Sequence, residues 1–142
     1  MGAAMATSAF MRIGNALVAG VLCSPLHALL DRRTALLTIT GRRTGRRFRF
    51  PVEYSRDGHV VHVVSRADHR WWRNLVGGGH LTIRLGGVDY HAFGEVRELA
   101  EADRIRFLQG FWRDAYGRRL DTDDAAERAR TAVIVRILLA DD

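Results

Sequence analysis

Near the start of the chain, apolar residues recur at spacings of three and four. Phe10, Ile13, Leu17 and Val21 fall on one stripe, the period of an amphipathic helix, and Ser8 is placed to cap it. Ser24-Pro25 restarts the chain, and Leu26, Leu29 and Leu30 continue a helical spacing. Residues 1–31 are therefore expected to be a helical N-terminal segment. From Ala35 the period shortens. ALLTITG reads as a strand, GRRTGR as a glycine-bounded turn and RFRFPVEY as a second strand. Arg56-Asp57-Gly58 signals a hairpin, and HVVHVVS follows as a third strand. Asp68 is expected to cap a short helix over HRWWRNL, ended by Gly77-Gly78-Gly79. LTIRL and VDYHAFGEVREL form a further hairpin about Gly86-Gly87. Glu101 and Asp103 open a helix carrying Ile105, Leu108, Trp112 and Ala115, with Arg118 and Arg119 near its end. Asp121 to Arg130 reads as a short connection, and TAVIVRILL as a β-branched closing strand.

About six strands joined by hairpin-like links, with helices at the start, middle and near the end, do not alternate as a doubly wound sheet requires. The expected class is mainly β with flanking helices, a small barrel with helices packed outside. The length of 142 residues suits one domain, 1–142.

Charge changes this picture. All 22 basic residues are Arg, and the net charge of +6 favours anionic partners. Five of them crowd one turn: Arg42, Arg43, Arg46, Arg47 and Arg49, with Thr44 between Gly41 and Gly45. Guanidinium groups, a hydroxyl and close-approaching backbone N–H groups are the parts of a phosphate or polycarboxylate site. A solvated basic hairpin tip has the same composition. A P-loop pattern is absent, and the concentration of Arg at one turn, with no RNP-like or helix-turn-helix pattern, argues against a nucleic-acid partner. Cys23 is the only cysteine, so no intramolecular disulfide forms within one chain, as suits a reducing compartment. His59 and His62 lie three apart on a strand and point to opposite faces, so no metal site is expected. Trp71 and Trp72 are adjacent and face different ways. One is suited to a core and the other to closing over a flat ring, with two core tryptophans as the plainer alternative. Ser65-Arg66, at a strand end, places a hydroxyl where a cleft would open.

Taken together, LLTITGRRTGRRFRFPVEYSRDG, VVSR and WWRNL resemble the deazaflavin-dependent nitroreductases, also called F-420H2-dependent quinone reductases. The likeness rests on Thr38, Thr40, Gly41, Arg42, Arg43, Thr44 and Gly45, then Pro51, Ser65, and Trp71, Trp72, Asn74 and Leu75, in the family's order and spacing. It spans about residues 35–98. The resemblance implies a split β-barrel of the flavin-reductase kind that binds coenzyme F-420, an 8-hydroxy-5-deazaflavin with a phosphodiester and an oligoglutamate tail. It implies that Arg42, Arg43 and Thr44 hold the phosphate. Arg47, Arg49 and Pro51 would run beside the cofactor, and Val63, Val64, Ser65, Arg66, Trp71, Trp72, Asn74 and Leu75 would edge its ring. Phe48 and Glu53 depart from the family pattern. Trp112 and Tyr116 are loose counterparts of the aromatic residues lining its substrate pocket.

The implied activity is hydride transfer from reduced deazaflavin to a quinone, enone or nitro compound, with Tyr116 or Ser65 as proton donor. Alternatives on the same barrel are an FMN-dependent reductase and a non-catalytic binder of a lipid or haem-like ligand. The expected location is cytoplasmic. The N-terminal stripe carries Arg12 as its only charge, fewer than an interfacial helix usually has. Packing on the barrel is thus favoured over contact with a membrane surface. Monomer and homodimer both suit the implied family.

Overall fold

In the computed structural model, which describes residues 34–140, one antiparallel sheet carries seven strands. They are β1 (Thr34–Thr40), β2 (Arg47–Glu53), β3 (Ser55–Asp57), β4 (Val60–Arg66), β5 (Gly79–Leu85), β6 (Val88–Arg97) and β7 (Ala132–Leu139). Their order across the sheet is β2-β1-β5-β6-β7-β4-β3. The two edge strands, β2 and β3, are consecutive in the chain and separated only by Tyr54. A flat sheet would hold its edges far apart, so a one-residue link between them requires the sheet to curl until they meet. The result is a split barrel, closed by the chain at one seam rather than by a continuous ladder.

Strand alternation sets the barrel interior. Leu37 and Ile39 of β1, Val61 and Val63 of β4, Leu81 and Ile83 of β5 and Val135 and Ile137 of β7 form one buried cluster, with Phe50, Val52, Tyr54, Trp71 and Trp72 packed against it. The outer side of β4 and β7 is covered by two helices, α1 (Glu101–Tyr116) and α2 (Thr122–Ala129). Leu108, Leu120, Ala125 and Ala129 form a second cluster there, against Val64 and Ala132. β4 is thus packed on both faces, which accounts for its valine-rich sequence.

Four local expectations are corrected. RFRFPVEY and the hairpin signal after it yield two strands, because the chain changes sheet edge at Tyr54 and Ser55–Asp57 pairs with Val60–His62. Gly58 turns that hairpin with φ of 61°. Asp68 does not cap the following helix. That helix is a 3-10 turn over Trp71–Leu75 preceded by Arg70 with no side-chain cap, and Asp68 instead pairs with Arg66 at 3.2 Å. The segment after Asp121 is a helix, with the Asp121 carboxylate accepting the Asp124 N–H at 2.8 Å. α1 ends at Gly117, in the left-handed region at φ of 64°, so Arg113 rather than Arg118 or Arg119 occupies its last turn. The expected N-terminal helices and Cys23 lie outside the described residues.

Candidate active site

The arginine turn is built by its own backbone. Gly41 N–H donates to Arg46 O at 2.8 Å and Gly45 N–H to Gly41 O at 2.9 Å. Thr44 Oγ1 accepts the Arg46 N–H at 3.3 Å, which leaves the hydroxyl proton able to donate. Arg42 is exposed, and its polar groups fold back onto the segment from Asn74 to Gly78. Its backbone N–H donates to Asn74 Oδ1 at 3.0 Å, and its guanidinium donates to Gly78 O at 2.8 Å. Arg43, Thr44, Arg46 and Arg47 are exposed. Arg49 lies on β2, facing Thr38 across the ladder, and is exposed.

Asn74 also donates from Nδ2 to Trp71 O at 3.1 Å. One amide therefore ties the arginine turn to the 3-10 helix. The helix is tied in turn to the end of β4, because Trp72 Nε1–H donates to Arg66 O at 2.9 Å. Trp71 packs its ring on Phe50 of β2, centroids 5.1 Å apart. Both indoles are half-buried and pack on the barrel core. They brace the site more than they wall it.

At the far end of β4 lies a cavity of about 520 Å³, whose lining includes Val64, Ser65 and Arg66 of β4, Trp112 and Tyr116 of α1, and Glu53 at the end of β2. Ser65, 5% exposed, is buried against it. Tyr116 packs edge-to-face with Phe111 and lies 4.7 Å from Trp112, ring to ring. Arg128 of α2 sits 4.5 Å over the Trp112 ring. The walls are aromatic and the rim is charged, a combination suited to a flat organic molecule with a few polar groups.

The structure therefore brings Val64, Ser65, Arg66 and Tyr116 to one cavity, and Arg42, Arg43, Thr44, Arg47 and Asn74 to another place. β2 joins the two: Arg47 starts it at the turn and Glu53 ends it at the cavity, about 20 Å of extended strand. Pro51 is half-buried midway along it. Val63 and Leu75 are each 1% exposed within the barrel core. Sequence reasoning missed Gly78, whose carbonyl fixes Arg42, and the α2 contribution to the cavity. The Asp121 cap followed by Ala125 and Ala129 at i, i+4 is the signal that could have shown α2. Among the described residues no group of three His, Cys, Asp or Glu could hold a metal ion.

Residues 18–139 match the sequence profile of the F-420H2-dependent quinone reductases. No curated protein matches this sequence. Among solved structures, a conserved hypothetical protein from Mycobacterium tuberculosis is similar with a TM-score of 0.58 and 17% identity, over 83% of this chain and 81% of that one. An F-420 reductase is similar with a TM-score of 0.52 and 15% identity, over 83% and 95%. An FAD- and heme-binding protein from Mycobacterium smegmatis has a TM-score of 0.52 and 16% identity, over 84% and 68%. At such identities these structures show a shared split-barrel fold.

Proposed function

The chain belongs to the F-420H2-dependent quinone reductase family, and from that premise we propose that it reduces a small electron-poor acceptor, a quinone, enone or nitro compound, with F-420H2. The observation that carries this reading is the placement of a cationic turn and an aromatic-walled cavity at opposite ends of β2, braced by one short helix. A ligand with a flat ring at one end and a polyanionic tail at the other matches both ends.

The donor set fits that cofactor. The exposed guanidinium groups of Arg43, Arg46 and Arg47 and the Thr44 hydroxyl suit a phosphodiester and tail carboxylates. Arg42 holds the turn in place through Gly78 O and Asn74, and so shapes the phosphate cradle while its own fork is partly committed. When bound, F-420H2 supplies a hydride. The chain's own part is to bind the ring near Ser65-Arg66 and the 3-10 helix, and to seat the acceptor against Trp112 and Tyr116. The aromatic walls align the acceptor, and a proton comes from a hydroxyl. Ser65, Tyr116 and Thr131 are the hydroxyls lining the cavity.

Equilibrium titration of the purified full chain with F-420, FMN and FAD tests this reading. F-420 should bind tightest, and its affinity should fall as salt is raised, because the tail is held by exposed charges. Tighter binding of FMN, or of FAD, which the similar M. smegmatis protein binds, would replace F-420 as the cofactor.

A further inference from the structure

Reduction of a quinone or enone needs a proton as well as a hydride, and the cavity must be dry enough to hold an apolar acceptor. Ser65 is the one buried polar side chain among the described residues. Its Oγ lies 3.4 Å from Nδ1 of His69, whose side chain is exposed. This contact is long for a hydrogen bond, as catalytic contacts often are before substrate binds.

The approach of His69 to Ser65 is built in. His69 N–H donates to Arg66 O at 3.0 Å, closing a tight turn, and Ala67 N–H donates to Thr131 O at 2.7 Å, pinning that turn to the start of β7. Arg66 O also accepts the Trp72 indole N–H at 2.9 Å. The neighbouring Asp68 is occupied by Arg66 at 3.2 Å. Tyr116, another hydroxyl of the cavity, is half-buried and packs on the rings of Trp112 and Phe111. Ser65 thus has a polar contact that leads to the exposed His69 ring.

We propose that Ser65 and His69 form a proton relay from solvent to the acceptor, a reading that rests on the reductase function above. Two electrons reach the acceptor as hydride from the reduced deazaflavin. The oxyanion that develops on the acceptor takes the Ser65 hydroxyl proton: the new O–H forms as the Ser65 O–H breaks. Ser65 Oγ takes the Nδ1 proton of the His69 ring as solvent delivers a proton to its Nε2. Exchange with solvent restores the Nδ1–H form of the exposed ring between turnovers. The sum is one hydride and one proton added to the acceptor. Ser65 is the catalytic donor and His69 a positioning residue that acts through it.

The test uses the full chain with F-420H2 and menadione as a soluble quinone probe, alongside cofactor-free protein. His69→Ala should lower kcat about tenfold or more, within the span of lost proton transfer, with F-420 affinity unchanged. Added imidazole should restore turnover to His69→Ala and not to Ser65→Ala. In the cofactor-free protein, Ser65→Ala should move the Nδ1 nitrogen resonance of His69, and Tyr116→Phe should leave it in place. Undiminished kcat in His69→Ala, no rescue by imidazole, or an unmoved resonance overturns the relay while the reductase reading stands. A parent protein that does not bind F-420 overturns the reductase reading and the relay with it.

Discussion

Asn74→Ala probes how the two halves of the site are joined. The amide makes two hydrogen bonds: Oδ1 accepts from Arg42 N–H at 3.0 Å, and Nδ2 donates to Trp71 O at 3.1 Å. Each neutral bond contributes about 0.5–1.5 kcal/mol net. The Arg42 N–H is exposed, so water replaces Asn74 there at little cost, whereas the contact to Trp71 O is partly buried. The change should therefore cost about 1–2 kcal/mol of stability, a fall in Tm of about 3–8 °C for a chain of this size. The larger effect should be on cofactor binding. With the amide gone, the arginine turn and the ring-side helix order independently, and the cofactor must organise both. Affinity for F-420 should weaken about tenfold if that ordering costs about 1.4 kcal/mol. Asn74→Asp keeps an acceptor for Arg42 N–H and loses the donor to Trp71 O, so it should recover part of the loss. Calorimetric titration with F-420, paired with thermal melts of the three proteins, decides the matter. An Asn74→Ala protein that melts lower yet binds F-420 like the parent would show that the amide supports the fold and does not couple the two ends.

Three further outcomes follow from the same geometry. Arg43→Ala should weaken F-420 binding by about 1.5–3 kcal/mol, the worth of a charged hydrogen bond, with an unchanged melt because the side chain is exposed; equal affinity would return the turn to a solvated hairpin tip. Gly94→Ala should destabilise by about 1–3 kcal/mol through overpacking, since a Cβ there would stand 2.9 Å from Leu81 Cδ2 and 3.0 Å from Leu75 Cδ1, and a denaturant melt as stable as the parent's would refute the close approach. His62 is held below its ordinary pKa by burial first, then by Arg97 and Arg136, while Phe107 packs on its ring and Glu95 engages Arg136. Its folded pKa is therefore lower than its unfolded value near 6.5. The unfolded chain takes up more protons, and stability should decline as pH falls below about 6.5. His62→Gln should flatten that decline in melts between neutral and mildly acid pH, and an equal slope in both proteins would refute the assignment.

Six of the seven strands, the hairpins about Gly58 and Gly86-Gly87, the arginine turn and the α1 helix were legible in the sequence, because each depends on residues within a few positions of one another. A two-residue alternation declares a strand, and five arginines within eight residues declare a cationic surface wherever the chain runs. The split-barrel class and the F-420 family were also legible, through several short motifs in a shared order. What local pattern could not carry was anything that depends on neighbours distant in sequence. Burial of Val63 and Leu75 follows from the strand and helix packed over them. The tie from Arg42 to Asn74 and Gly78 spans more than thirty residues, and the meeting of Ser65 and Arg66 with Trp112, Tyr116 and the α2 helix spans nearly fifty or more. Even the curl of the sheet is of this kind: Tyr54 is an unremarked residue between two strands until the strand order shows that it joins opposite edges. The energy of these contacts comes from closing long loops onto shared apolar surface, a term to which no window of adjacent residues gives access. The sequence alone thus determined the elements and the chemistry they carry, and the tertiary structure decided which of those chemistries meet.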